Sequence, residues 1–186
     1  MARPDSPAPD LQDQPVFGLP VDLAALSAKR PVAVIFQRYL GSAHARTSLV
    51  AINGAYPAYD LEGVAVVAIT DSPLPPARDF VTRYQLLFPL VCDPERAHFT
   101  AWEVPTGGPA DLAKAALTGA LTPRALSLGH GRVDGRWSQR PAAYVVRDGQ
   151  IRWSWEAPHA FSVLDPAEPL RAALSRRSAR QWDRSR

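Results

Sequence analysis

Short unbroken apolar runs alternate along this chain with longer stretches that carry apolar residues at helical spacing. Val32 to Phe36 is an apolar run framed by Pro31 and Gly41, the pattern of a strand buried on both faces. Ser42 follows as a residue able to cap a helix, and Ala45, Leu49, Ile52 and Tyr56 recur near helical spacing, which predicts a helix over 43–59. Val64 to Thr70, rich in β-branched residues between Gly63 and Asp71-Ser72-Pro73, reads as a second buried strand. Pro75-Pro76 open a helix that reaches Tyr84.

The second half repeats the grammar with a longer interruption. Phe88 to Cys92 reads as a short strand, and Asp93 with Pro94 as the cap and first position of a helix through Trp102. The 103–140 block is long for a connection, so a helical insertion over 111–121 and a mobile loop over 122–140 near the site are expected. Asp148-Gly149 between two strand-forming runs, 142–147 and 150–155, predicts a hairpin with a primed turn. A last helix is expected from Asp165 to about Arg177, with Pro166 at its first position. Strand and helix in alternation define an α/β fold with a mostly parallel core.

Composition trims the functions open to such a fold. The chain has 186 residues, 46% hydrophobic, which suits one domain with a sizeable core. The Pro-rich segment 1–15 is expected to be a disordered leader, 16–178 the domain, and 179–186 a basic tail. Six arginines and one aspartate between Arg171 and Arg186 account for the formal charge of +3, so the remainder is slightly acidic and offers no nucleic-acid groove. The sequence holds no run of membrane-spanning length and no apolar signal segment, which makes a cytoplasmic protein without a membrane partner the expectation. Cys92 is the single cysteine. Its apolar strand favours a buried, inert thiol. With scattered histidines at 44, 98, 130 and 159, neither a metal nor another cofactor is expected.

Three segments in order resemble the peroxiredoxin-like alkyl hydroperoxide reductase/thiol-specific antioxidant family, on a thioredoxin-like fold. They are Ile35-Phe36-Gln37-Arg38-Tyr39-Leu40-Gly41, Phe88-Pro89-Leu90-Val91-Cys92-Asp93-Pro94, and Pro141 through Gly149. The resemblance implies a central mixed sheet flanked by helices, and a cis peptide before Pro141 facing the site. Where the resemblance places Gly-Cys-x-x-Cys, this chain reads Gly41-Ser42-Ala43-His44-Ala45. Both thiols are absent, and a hydroxyl cannot replace a thiolate in disulfide exchange.

Candidate chemistry therefore gathers at the start of the 43–59 helix. The N–H groups of Ala43, His44 and Ala45 favour an anion. Ser42 caps or binds a ligand, and His44 titrates near neutrality as a general acid or base. Arg38, Arg46 and Arg140 can pair with a carboxylate, phosphate or enolate, with Tyr39 and Trp137 as walls beside Pro141. The leading expectation is a cysteine-depleted enzyme acting by acid/base catalysis on a small, anionic organic molecule. Two alternatives stand beside it: a non-catalytic binding or scaffold protein, for which a homodimer is the partner considered, and a thiol-dependent peroxidase or oxidoreductase whose active-site cysteines were replaced. Trp153 and Trp155 share one strand face; exposed, they mark a partner surface, and beneath the last helix they are core.

Overall fold

A computed structural model describes residues 3–110 and 131–175. Its centre is strand β3 (Val32–Gln37), every residue of which is buried. Parallel β4 (Ala65–Thr70) lies on one side, in register from Val32 opposite Ala65 to Gln37 opposite Thr70. Antiparallel β6 (Ala142–Arg147) lies on the other. With β5 (Leu90–Cys92) and β7 (Gln150–Glu156) the sheet runs β5-β4-β3-β6-β7, the mixed sheet that the resemblance implied.

Alternation along β3 divides the interior in two. Ala33 and Ile35 face α2 (Ala43–Leu61), α3 (Leu74–Tyr84) and the last helix, α5 (Ala167–Leu174). Val32, Val34 and Phe36 face the opposite layer with Leu23 of α1 (Leu23–Ser27), Phe99 of α4 (Ala97–Ala101), Trp102 and Tyr144. There Phe36 packs 5.1 Å from Phe99 and 5.4 Å from Trp102, centroid to centroid. Such offset aromatic pairs add about 1 kcal/mol each beyond the area they bury. Pro57 lies inside α2 without ending it.

The hairpin turns as predicted. Asp148 and Gly149 both have positive φ, 53° and 69°, which a type I′ turn requires. Asp93 caps α4 across the Pro94-Glu95 turn, its carboxylate accepting from Ala97 N and Phe99 N at 2.8 and 3.0 Å, so this helix starts later than expected. Trp153 and Trp155 pack beside Leu170 and Ala172 of α5. Both are half-buried, packed against the core cluster rather than inside it.

The leader departs from its expectation. Asp5 N donates to Ile151 O, Ile151 N to Ser6 O and Ala8 N to Gly149 O, at 2.7 to 2.9 Å. Leu11 is fully buried, and β1 (Gln12–Asp13) pairs with β2 (Val21–Asp22). The segment covers the free edge of β7, where proline is tolerated because no ladder donor is demanded of it. The helix expected over 111–121, the first part of the 122–140 loop and the basic tail lie outside the described residues.

Candidate functional site

The end of β3 delivers Gln37 and Arg38 into a turn, Tyr39 to Gly41, before α2 begins. Ser42 holds the N-cap position with extended backbone, φ −72° and ψ 125°, but its hydroxyl makes no capping hydrogen bond. The turn is instead tied through its backbone: Ser42 N donates to Tyr39 O at 3.0 Å and Arg46 N to Ser42 O at 3.1 Å.

Three glycines let the 131–140 loop seat on this turn. Gly131 N donates to Gly41 O at 2.8 Å. A Cβ on Gly41 would lie 1.8 Å from Arg132 O, and one on Gly135 only 2.5 Å from Asp71 Oδ1. Backbones approach this closely only where no side chain intervenes. Behind the loop, Asp71 accepts from Arg136 N at 2.8 Å and pairs with Arg96 at 3.3 Å. Ser72 Oγ accepts from Leu40 N at 2.7 Å and donates to Asp134 at 3.0 Å. The segment expected to be mobile is, over 131–140, fastened to β4, α4 and the site turn. Burial pushes the Asp71 carboxyl pKa up, opposed by its bond to Arg136 N and by the Arg96 charge.

Arg38 is the unusual group. Its side chain is 1% exposed, yet only Nη1 has a partner, Trp137 O at 2.8 Å. Nε, Nη2, the Ser42 hydroxyl and both ends of the Gln37 amide are buried without hydrogen bonds. Burial depresses the Arg38 pKa, while Tyr39 and Asp71 act to raise it. The guanidinium carbon lies 4.6 Å from the centre of the Phe161 ring and 5.6 Å from that of Tyr39. His44, 1% exposed, meets the same Phe161 ring edge-on at 5.5 Å.

The structure thus gathers Arg38, Tyr39, Ser42, Ala43, His44 and Ala45 at one buried point, and brings Phe161 to them. Nothing in the local sequence flagged Phe161. Phe161 packs against both Arg38 and His44, and the 131–140 loop seats on Gly41. The Trp137 indole is 45% exposed; its carbonyl, not its ring, serves the site. Arg140 turns to Glu156 at 3.1 Å, and Arg46 lines a different cavity beyond Gly41. No cis peptide occurs among the described residues. The bond before Pro141 is therefore trans, the ordinary isomer, with Pro141 O continuing the pairing by accepting from Ala157 N at 3.0 Å. Cys92 sits opposite Thr70, itself opposite Gln37, so about 10 Å of sheet separates it from the site strand. Burial, with a smaller contribution from Asp13, pushes its thiol up to about 11.

A mixed sheet with a buried parallel strand ending at a helix N-terminus, closed by an antiparallel hairpin and a last helix, defines a thioredoxin-fold protein of peroxiredoxin type. The AhpC/TSA family profile matches residues 4–154, and the chain belongs to that family. Among solved structures, the peroxidoxin BcpB from Mycobacterium tuberculosis superposes with TM-score 0.66 at 14% identity, covering 96% of this chain and 100% of that one. A Plasmodium vivax 2-Cys peroxiredoxin in its reduced form gives 0.64 at 13%, covering 90% and 78%. The Xanthomonas campestris peroxiredoxin Q C48S mutant gives 0.58 at 16%, covering 78% and 79%. At these identities the likeness is one of fold. No curated protein matches the chain. Among the described residues no helix is long and apolar enough to cross a membrane.

Proposed function

We propose that this chain is a thiol-independent member of its family that takes up a small organic anion at the N-terminus of α2, with Arg38 holding the charge and His44 exchanging a proton. One observation carries the reading: a fully buried guanidinium leaves two of its donor nitrogens without acceptors. Leaving donors of a charged group unmet costs several kcal/mol. An oxyanion bridging Arg38, the Ser42 hydroxyl and the first-turn N–H groups of α2 meets all three needs at once. Thiol peroxidase chemistry lacks its reagent here, since Ser42 and Ala45 occupy the thiol positions implied by the family resemblance and the Cys92 thiol is held protonated near neutrality.

The closure of the turn favours a second reading, a non-catalytic binding protein. Phe161 lies 4.6 Å from the Arg38 guanidinium carbon and Trp137 O already takes its Nη1, so binding at Arg38 competes with contacts the protein makes to itself.

Two measurements on the full-length protein test these readings. Peroxide consumption with dithiothreitol should match a Cys92→Ser control; turnover above it would return the chain to redox chemistry. Acetate should raise the melting temperature of the wild type and leave that of Arg38→Met unchanged; equal shifts in both would remove Arg38 from the site. Retained acetate binding in His44→Gln, with conversion lost once a substrate is found, separates the enzyme from the plain binder.

A further inference from the structure

On the outer side of the contact between Gly41 and Gly131 lies a cleft of about 210 Å³. Three arginines from separate elements line it: Arg46 in the first turn of α2, Arg83 near the end of α3, and Arg132 in the loop. Phe80 and Tyr84, their ring centroids 4.8 Å apart, form an aromatic wall. Two carboxylates, Asp79 and Asp134, also line it. Asp134 is committed to the Ser72 hydroxyl. Among the described residues Arg83 and Arg132 form no ion pair, Arg83 only lying over the Tyr84 ring at 6.0 Å.

We propose that this cleft binds a small phosphomonoester, its phosphoryl oxygens taken by Arg46, Arg83 and Arg132 and its organic part laid against Phe80 and Tyr84. Three arginines lining one cleft from different elements offer enough donors for a group with three terminal oxygens, more than a carboxylate with two can use. The volume is smaller than a drug-sized site and selects a ligand of small-metabolite size. Gly41 and Gly131 keep the floor as bare backbone, since a side chain on Gly41 would collide with Arg132 O. The site stands whether or not Arg38 holds an anion, because neither Arg38 nor Ser42 lines it.

Isothermal titration of the full-length protein with phenyl phosphate, benzoate and inorganic phosphate tests the assignment. Phenyl phosphate should bind best, and Arg83→Met and Arg132→Met should each weaken it by about tenfold or more. Arg147→Met, which removes an equal charge from the exposed hairpin, should leave it unchanged. Absence of phenyl phosphate binding at millimolar concentration would overturn the proposal. So would an equal loss in Arg147→Met, which would mean diffuse attraction to a basic protein. Benzoate binding as tightly as phenyl phosphate would overturn the phosphoryl assignment, and inorganic phosphate doing so would overturn the role of the aromatic wall.

Discussion

Arg38 and Arg96 flank the same loop and have opposite surroundings. Arg96 pairs with Asp71, donates to Gln139 and lies 4.9 Å over the Phe99 ring, so its charge has an anion, an acceptor and an aromatic face. Arg38 is more deeply buried and has one carbonyl and two rings. A satisfied buried charge fastens structure; an unsatisfied one is a cost that folding alone does not explain. The contrast separates a structural arginine from a ligand-binding candidate on chemical grounds.

Substitutions can break that contrast, beginning with the largest effect. Asp71→Ala leaves Arg96 without its anion and Arg136 N without its acceptor, and should cost about 3 kcal/mol in urea denaturation, the low end for a broken buried pair because Arg96 keeps some solvent contact. A loss below about 1 kcal/mol, the scale of an exposed pair, would mean that Asp71 does not hold the loop. Gly41→Ala should cost about 2 kcal/mol through the collision with Arg132 O. Faster amide exchange at Arg136 should accompany it, reporting an unseated loop. Arg38→Met should go the other way, leaving the ligand-free protein unchanged or more stable by about 1 kcal/mol, since an apolar chain of similar length removes an uncompensated charge. Clear destabilisation would put Arg38 in the same class as Arg96. The smallest effect concerns Cys92: alkylation by iodoacetamide should be slow at neutral pH and accelerate only as pH rises toward about 11, where the thiolate forms. Rapid labelling at pH 7 would expose a reactive sulfur.

Local chemistry made much of the fold legible. β3 and β4 were readable because both faces of each are apolar, and the hairpin because Asp148-Gly149 supplies two positive φ angles in succession. The start of α2 was readable from the apolar spacing after Ser42, although the serine contributes its position rather than its hydroxyl. The cluster at Arg38, Ser42 and His44 was legible as a set of residue types near one turn. Its burial was not, because it depends on Phe161 and on a loop that begins some ninety residues after Gly41. The leader was misjudged for a related reason: proline and polar composition report the cost of a core, not whether a neighbouring strand edge offers backbone partners.

By itself the sequence determined the order of strands and helices, the absence of thiols at the site turn and the lone cysteine in an apolar strand, since each depends on residues a few positions apart. Only the tertiary structure decided which charges are satisfied. Asp71, Trp137 and Phe161 reach Arg38 or the loop over it from distant parts of the chain. A buried guanidinium becomes informative through the acceptors that folding brings to it and those that folding withholds.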